Sequence, residues 1–596
     1  MIKSQLQKII ENTVKNLCKI NALPKEANSL ILKASFNAPK DAKFGDYATN
    51  AALILAKAAK KPPIKVAQLL IDKLSDPKKK IKSAQIAGPG FLNFVISDFV
   101  IQNVIKEVLQ QKELFGHLKK DKNKKVLIEY ISANPTGPLH LGHARGAFMG
   151  DAIASILDAA GYNVTSEFYV NDTGNQVRTL ARSIYARYQE LFGFKVTFAK
   201  DAYPGKYLVD IAQIIKDEDG DKWLNKNEIE WLSRFLEIGI RENLNEIKAT
   251  LSHAKIKFDN WFLESTLHKN KKVEQIIKDY EKLGMLYKAD KALGTENKIR
   301  RKASKAAQYT EQQKGGTFLK TAQFGDEEDR ILLKNNGEPV YLAADLAYHK
   351  EKFEREYSRI IDLFGADHAG HIPRIRAGMK ALNMADEKLE FAVVQMVRLL
   401  RDGKEVRFSK RSGEIYLLSD LIDEVGADVA RFIFLMRAKS TQFDFDLDLA
   451  LKQSNDNPVF YVQYGHARMA TLLKKAQSSN CPFVGVDNLK DNTLSKLILP
   501  EERNMLKKVA DLGQVIKGAA QSLEPHRILY FCQELISEFH TYFTKYRSSE
   551  KIISSDVDLT QARLALVASI KQALANALSL LKISAPEHMS KVDKKE

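Results

Sequence analysis

The sequence predicts a multidomain α/β protein whose centre is a doubly wound parallel sheet. Short apolar runs that are typical of buried strands alternate with helical patterns through the middle of the chain. The chain has 596 residues, enough for about three to four domains at roughly 150 residues each. After Asn455 the pattern becomes almost wholly helical, which indicates a separate bundle.

The first part of the chain, residues 1–115, is predicted to be an α+β domain because it mixes helical periodicity with strand-like runs. Its opening helix has one apolar face, formed by Leu6, Ile10, Val14 and Leu17. The GPG turn at residues 88–90 precedes an apolar run that is typical of a strand.

The central domain is expected over residues 122–400. Its predicted strands are residues 126–131, 164–170, 359–364 and 391–397. A helix is predicted over residues 139–159, directly after a turn rich in Pro and Gly. Residues 175–310 contain little strand signal and are predicted to be a helical insertion between two halves of the sheet. The domain is therefore predicted to be Rossmann-like.

The last part of the chain is predicted to be an all-α bundle over residues 456–596, joined to the central domain by a connecting region at 401–455. One long apolar stripe supports the bundle, formed by Leu564, Val567, Ile570, Leu574, Leu578 and Leu581.

The formal net charge of +18 suggests a polyanionic partner: RNA, DNA or an anionic membrane. The alternative is an enzyme from a lysine-rich proteome. The three cysteines, Cys18, Cys481 and Cys532, are too scattered for a zinc or redox motif, so no protein-bound metal is expected. Isolated thiols fit a reducing cytoplasm, and no apolar stretch approaches the roughly 20 residues that span a bilayer. We therefore expect a cytoplasmic protein with no membrane partner.

The strongest chemical signal is PLHLGH at residues 138–143. His140 and His143 are three apart at a predicted helix start, so they share one face. The amino end of that helix offers backbone N–H groups and partial positive charge to a phosphate, and Gly142 leaves room for a nucleotide. Two histidines at this spacing could instead only cap and pack the helix. Their position at the carboxyl end of a predicted strand favours a ligand site.

A second signal is RFSKRSG at residues 407–413, with Gly403 and Gly413 on either side. A basic loop is usually a solvated turn. Lys410 on such a loop could also close over departing pyrophosphate.

Together the two signals resemble the HIGH and KMSK signatures of class I aminoacyl-tRNA synthetases. Residues 140–143 match the first signature and residues 407–410 the second, although Arg407 and Phe408 depart from its usual text. The resemblance implies that His140, His143 and Lys410 are catalytic, and that Gly142 and Ser409 join them in binding ATP.

Acidic residues near the first signature suggest a cationic substrate. Glu129 lies on the preceding strand, and Asp345 and Asp367 are interpreted as lying at strand ends. Carboxylates arranged for paired hydrogen bonds suit a guanidinium group. The alternative for any one of them is a helix cap or a surface charge.

Most of the chain then resembles arginyl-tRNA synthetases. The matching text includes SANPTGP at 132–138, YVNDTGNQ at 169–176, FGD at 324–326, 341–349, 365–368 and NPVFYVQY at 457–464. The resemblance implies that Glu129, Asn134, Tyr341 and Asp345 hold arginine, with Asp345 at the guanidinium and Asn134 at the amino-acid end. Asp367 is a further candidate.

The family further implies arginine activation by ATP with Mg²⁺, transfer to arginine tRNA, an amino-terminal domain that binds the D-loop, an anticodon-binding bundle and a monomer. Candidate RNA contacts are Tyr461, Phe539, His540 and Tyr546, although helix aromatics more often pack a core. The alternatives are a class I synthetase for another amino acid, a nucleotidyltransferase and an inactive tRNA-binding relative. The absence of GxGxxG and P-loop motifs argues against other nucleotide-binding classes.

Overall fold

The computed structural model describes residues 2–39, 41–290, 315–384, 386–406, 416–490, 492–549 and 551–589. Ser409 and Lys410 lie outside the described residues, as do residues 298–314, a stretch rich in Lys and Arg that resembles the family least and to which the sequence assigns no function.

The amino-terminal part is a four-stranded antiparallel sheet, in the order β1-β2-β4-β3, packed against helices. The apolar face predicted for the first helix is buried, so the α+β prediction is confirmed. The elements are α1 (Ile2–Lys19), α2 (Ala27–Leu30), β1 (Phe36–Asn37), β2 (Tyr47–Thr49), α3 (Ala51–Ala59), α4 (Pro63–Asp72), β3 (Ile81–Ala87), β4 (Phe91–Ile96) and α5 (Asp98–Gln111).

The central part alternates strands and helices, as the sequence predicts. Its elements are β5 (Lys125–Glu129), α6 (Leu141–Ala159), β6 (Asn163–Val170), α7 (Gly174–Leu191), α8 (Tyr207–Asp219), α9 (Glu228–His253), β7 (Asn260–Leu263), α10 (Glu264–Lys269), α11 (Lys272–Lys282), β8 (Leu286–Ala289), β9 (Gly316–Leu319), β10 (Arg330–Lys334), α12 (Tyr341–Glu354), β11 (Arg359–Gly365), α13 (Ile372–Ala381), β12 (Leu389–Val394), β13 (Val397–Arg401), β14 (Lys404–Glu405), α14 (Leu418–Val425), α15 (Ala427–Leu435), β15 (Phe443–Asp446) and α16 (Leu447–Leu451).

The main sheet has five parallel strands in the order β12-β11-β5-β6-β7. From β5 the chain moves outward to β6, and from β11 it moves outward in the opposite direction to β12. With right-handed crossovers, α6 and α13 therefore cover opposite faces. Alternate residues of β5 agree: Val126 and Ile128 belong to the core that contains α6, and Leu127 to the core that contains α12 and α13. The topological switch point, where doubly wound folds bind ligands, lies between β5 and β11.

The section predicted to be a helical insertion differs from that prediction. It contains α7, α8 and α9, but its β7 joins the main sheet and its β8 pairs with β9 in a small antiparallel sheet. Four-residue strands are too short for periodicity to distinguish from a turn. The predicted strand at 391–397 is likewise two elements, because β12 ends at Val394 and β13, which pairs with β15, begins at Val397.

The carboxyl-terminal part is the predicted helical bundle. Its helices are α17 (Pro458–Ser478), α18 (Pro500–Ala510), α19 (Leu512–Ser522), α20 (His526–Lys545) and α21 (Val557–Leu580). The six leucine, valine and isoleucine residues of the predicted stripe are fully buried. Among the residues described, none of the helices is both long and apolar enough to cross a lipid bilayer.

The bundle is attached directly to the amino-terminal part. Asp46 accepts hydrogen bonds from Arg503 and from Lys507, the latter at 2.9 Å, and both of these cations lie on α18. Asn576 of α21 donates to the carbonyl groups of Lys112 and Phe115, at 2.7 and 3.0 Å. The two ends of the chain therefore form one continuous body.

Candidate active site

The candidate site lies where β5 ends at the switch point. Two residues just beyond β5 have left-handed backbone conformations, Ile131 at φ 69° and Ser132 at φ 43°. A β-branched residue in this region is strained, and such strain is characteristic of functional sites. The turn brings the Ser132 hydroxyl within 2.7 Å of Glu129 Oε1, and the same hydroxyl accepts the backbone N–H of Tyr169 at 3.1 Å. These two hydrogen bonds connect the turn after β5 to strand β6 at this edge of the sheet.

The two histidines cap α6 and lie together, with ring centroids 4.0 Å apart. His140 Nδ1 accepts the Gly142 backbone N–H at 3.1 Å, and His143 Nδ1 accepts the His140 N–H at 3.2 Å. Because each Nδ1 is an acceptor, the proton of each neutral ring is on Nε2, which becomes the donor. Capping and phosphate binding are therefore compatible roles for the two rings. A Cβ on Gly142 would lie 2.9 Å from the His140 ring, so this contact requires glycine.

The residues that follow the second signature are held against the first. Leu417 forms a β-bridge with His140, and Leu141 N donates to Tyr416 O at 3.1 Å. Leu418 N donates to Leu139 O at 2.9 Å. The described end of the connecting region therefore reaches the amino end of α6.

A fully buried group of charges forms the floor of the site. Lys352 of α12 donates to Glu129 Oε2 and, at 2.6 Å, to Asp362 Oδ1. His349 Nε2 lies 2.9 Å from Asp362 Oδ2. Burial alone would raise the pKa of Asp362, but the charge of Lys352 and the hydrogen bond with His349 lower that pKa to about 2. We call Glu129, His349, Lys352 and Asp362 the paired floor.

Asp345 stands above this floor with a different environment. It lies on α12, so its expected place at a strand end is wrong: the segment from Tyr341 is a helix. Its carboxylate has no hydrogen bond or ion pair with any described residue. Burial, together with the nearby charges of Glu264 and Glu129, raises the pKa of Asp345 to about 6. An unpaired carboxylate among other acids is a ready acceptor for a cation.

A further acid, Glu264, belongs to the same pocket. Glu264, at the start of α10, accepts the Tyr169 hydroxyl at 2.7 Å and the Thr173 hydroxyl at 2.6 Å. It is buried and fixed by these bonds. Among the described residues, the pocket therefore has carboxylates on two walls, and Lys352 lies at its floor.

The remaining predicted arginine contacts lie around the rim. Tyr341 is 62% exposed at the start of α12, and its hydroxyl lies close to Gly174. Asn134 Nδ2 donates to Gln176 Oε1 at 2.7 Å, at the start of α7. Asp367 is exposed just beyond β11, with His368 Nε2 3.5 Å from its carboxylate.

Sequence reasoning missed Tyr348, His349, Lys352 and Glu264. The first three have a signal: counted from Asp345 they fall at the helical positions i+3, i+4 and i+7, so they share its face of α12. Had the segment been recognised as a helix, this polar stripe would have stood out. Glu264 follows β7, a strand that was itself not predicted.

The four residues predicted to contact RNA differ in how much of each side chain is exposed. Phe539 is fully buried, and the Tyr546 hydroxyl donates to Glu501 at 2.9 Å. Tyr461 and His540 are partly exposed and meet edge to face, with centroids 5.1 Å apart. Tyr461 also lines a cavity of about 430 Å³ between α17 and α20. This pair is therefore the better placed for an unpaired base.

Comparison with known proteins gives matches along almost the whole chain. Residues 4–96 match the arginyl tRNA synthetase N terminal domain, residues 104–442 the catalytic domain of class I (R) tRNA synthetases, and residues 462–589 the DALR anticodon binding domain. The chain is 40% identical over 572 residues to the arginine–tRNA ligase of Anaeromyxobacter sp. strain Fw109-5, covering 94% of each chain. It is 39% identical over 552 residues to that of Staphylococcus aureus strain USA300, covering 92% of this chain and 94% of the relative.

Among solved structures, Thermus thermophilus arginyl-tRNA synthetase superimposes with a TM-score of 0.72 at 22% identity, over 99% of this chain and 100% of the other. At 22% identity this similarity supports the fold alone.

Proposed function

Because the chain belongs to the arginyl-tRNA synthetase family and catalyses the attachment of arginine to tRNA, we propose how its own residues divide that reaction. The observation that carries the proposal is the unpaired carboxylate of Asp345 in an acidic pocket beside the histidine pair.

We propose that the substrate guanidinium binds Asp345. Its planar fork pairs with a carboxylate through two parallel hydrogen bonds, and it remains cationic at any working pH. Glu264 adds attraction, and Glu129, held by Lys352 and Ser132, supports the pocket from below. Tyr341 covers the opening, and Asn134 takes the amino-acid end. Lysine, with a point charge in place of the fork, would leave acceptors unpaired.

In the first step the arginine carboxylate attacks the ATP α-phosphate, and pyrophosphate leaves. His140 and His143 donate from Nε2 to the phosphate oxygens as charge develops on them, and the amino end of α6 adds its dipole. Gly142 allows ATP to approach the backbone. Ser409 and Lys410 are proposed to hold the leaving pyrophosphate, and this assignment rests on the sequence signature and on the flanking contacts of Tyr416 and Leu417.

Mg²⁺ is proposed to arrive with ATP, bound through its phosphates, where it would neutralise their charge. Among the described residues no group of three or more His, Cys, Asp or Glu side chains is gathered as a metal site. Asp367, exposed at the same edge, is proposed as a weaker contact to the substrates.

In the second step the terminal ribose hydroxyl of tRNA attacks the arginyl carbonyl, and AMP leaves. We propose that the amino-terminal domain contacts the D-loop and that Tyr461 and His540 contact the anticodon loop. Phe539 and Tyr546 are proposed to support those two residues from the bundle. The protein is proposed to act as a cytoplasmic monomer.

The test is arginine-dependent ATP–pyrophosphate exchange, measured with tRNA present. His143→Ala should reduce exchange at least a hundredfold, because one preorganised donor to a charged transition state contributes about 3 kcal/mol. Its tRNA binding should be unchanged. Exchange at the wild-type rate would remove His143 from the mechanism.

The matched control is His253→Ala, on α9, whose ring is exposed. It should leave both exchange and tRNA binding unchanged.

A further inference from the structure

A group of hydrogen-bond donors lies at the same edge of the sheet as the arginine pocket, on the opposite face from α6. After β11 the chain forms a 3₁₀ helix over Ala366–His371 and then enters α13. His368, His371 and Arg374 follow one another along this entry, and the two imidazole centroids are 5.9 Å apart. We call these three residues the α13 entry patch.

Arg374 is the unusual member of the patch. Its guanidinium has no hydrogen bond or ion pair with any described residue, and its Nε is buried without a partner. Arg145, Arg187, Arg355 and Arg431 also have a buried Nε without a partner, but each of them bonds through another guanidinium nitrogen, whereas Arg374 bonds to no described residue. A buried donor without an acceptor costs about 1–3 kcal/mol. An external acceptor would remove that cost.

Charges of both signs surround Arg374, and two of the three nearby acids already pair with another cation. Burial lowers the pKa of Arg374, and the neighbouring charge of Arg330 lowers it further. The nearby acids Asp326, Glu327 and Glu328 oppose this effect. Asp326 and Glu328 are already bound to Arg330, at 2.8 and 2.6 Å.

The same helix offers a direct contrast. Arg376, two residues further along α13, has its guanidinium 2.6 Å from the Asp386 carboxylate and stacks over the Phe391 ring. Its guanidinium is engaged by partners within the protein. Arg376 therefore stabilises the fold, whereas the guanidinium of Arg374 is available to an external acceptor.

The chemistry of the patch selects a phosphate. A guanidinium fork matches two phosphate oxygens, neighbouring imidazoles add donors, and the amino end of α13 adds partial positive charge. ATP phosphates are accounted for at α6, on the other face. The second substrate that must reach this edge is the end of tRNA, whose last nucleotides carry a phosphate on every residue.

We infer that Arg374 binds a backbone phosphate in the single-stranded acceptor end of tRNA and guides that strand to the arginine pocket. The inference rests on aminoacylation taking place in this cleft. It concerns tRNA affinity, whereas the pocket assignments concern arginine and ATP.

The experiment measures aminoacylation and equilibrium tRNA binding for Arg374→Gln, Arg374→Lys and the control Arg376→Gln. Arg374→Gln should raise the KM for tRNA about tenfold while changing the KM values for ATP and arginine less than twofold. Arg374→Lys should recover part of this loss, because it keeps the charge but not the fork. Arg376→Gln should change the KM for tRNA less than twofold.

Two further measurements locate the phosphate. The slope of log Kd against log salt should fall by about 0.7 in Arg374→Gln, as expected for one lost contact to a single strand. Binding of a tRNA shortened by its last three nucleotides should be insensitive to Arg374→Gln.

The inference is overturned if tRNA KM and salt slope are unchanged, if the KM for ATP rises in place of that for tRNA, or if the shortened tRNA shows the same loss. Should the glutamine variant fold poorly, Arg374→Lys decides by the same criteria, with a smaller rise of about threefold in the KM for tRNA.

Discussion

The paired floor and the wall formed by Asp345 are neighbours built from the same types of side chain, yet they are electrostatically opposite. In the floor, Lys352 and His349 satisfy the carboxylates of Glu129 and Asp362, and the pKa of Asp362 falls to about 2. On the wall, Asp345 has no such partner in the described part of the chain, and its pKa rises to about 6. The same helix, α12, supplies both the floor lysine and the wall carboxylate.

The paired carboxylates of the floor and the carboxylate of Asp345 therefore have different roles: the first stabilise the fold, and the second is suited to binding a ligand. Buried charges that are paired inside the protein hold the fold in place, and removing one partner leaves the other uncompensated. A carboxylate left unpaired destabilises the empty protein and is relieved when a cationic ligand binds. The following predictions test this division, in order of decreasing effect.

Breaking the floor should have the largest effect. Lys352→Met leaves Glu129 and Asp362 buried together without a cation, so we expect the free energy of unfolding to fall by about 3–5 kcal/mol. Urea denaturation measures this loss. Lys350→Met is the control on the same helix, since Lys350 makes only partly exposed ion pairs with Asp279 and Glu354, and it should cost less than about 1 kcal/mol. Equal losses in the two variants would contradict the division.

Removing the charge of the wall should act on arginine. Asp345→Asn should reduce kcat/KM for arginine by about a hundredfold to a thousandfold, because losing one partner of a buried charge pair costs about 2–5 kcal/mol. The KM for ATP should change little. Asp367→Asn, at an exposed carboxylate, should have a smaller effect. A loss shared equally by ATP and arginine would count against a guanidinium contact at Asp345.

The pH dependence sharpens the comparison. Arginine stays cationic, and Asp345 loses its charge as pH falls through its pKa of about 6. kcat/KM for arginine, which reports the unliganded enzyme, should therefore fall tenfold per pH unit below about pH 6. The inflection should disappear in Asp345→Asn. An inflection near pH 4 would mean that the carboxyl is not perturbed.

The smallest effect concerns stability. Because its folded-state pKa is raised, ionised Asp345 destabilises the empty protein at pH 7, and this cost disappears as pH falls from about 6 toward 4. A rise of the pKa from 3.8 to about 6 corresponds to about 3 kcal/mol at pH 7, and burying the unpaired amide of Asp345→Asn opposes part of this gain, so the free energy of unfolding should rise by about 1 kcal/mol. Saturating arginine should stabilise the wild type and not the variant. A less stable variant at pH 7 would show that the carboxylate contributes to the fold.

The sequence was informative where the pattern was long or chemically distinctive. Strand β5, helix α6 and the histidine pair follow from apolar runs, a Pro/Gly turn and residue spacing, and the structure places them as predicted. It was uninformative for β7, whose four residues carry no usable period, and so Glu264, which follows it, was missed. The role of α12 was also misread, because a strand end was assigned to a segment whose polar residues repeat with helical spacing.

The unpaired state of Asp345 could not be predicted at all. It depends on which carboxylates of β5 and β11 are reached by Lys352 and His349, and the contact of Lys352 with Glu129 joins residues 223 positions apart in the chain. Spacing identifies candidate acids, and only the assembled pocket shows which one keeps its charge for a ligand.

The bonds from Asp46 to Arg503 and Lys507 have one more consequence. They fix the distance between the amino-terminal domain and the helical bundle before any nucleic acid arrives. A long RNA that contacts both the amino-terminal domain and the helical bundle would meet two surfaces at a fixed separation. Little conformational entropy of the protein would then be lost on binding. We therefore expect RNA molecules with a different separation between their two contact regions to bind less tightly, whatever their base sequence.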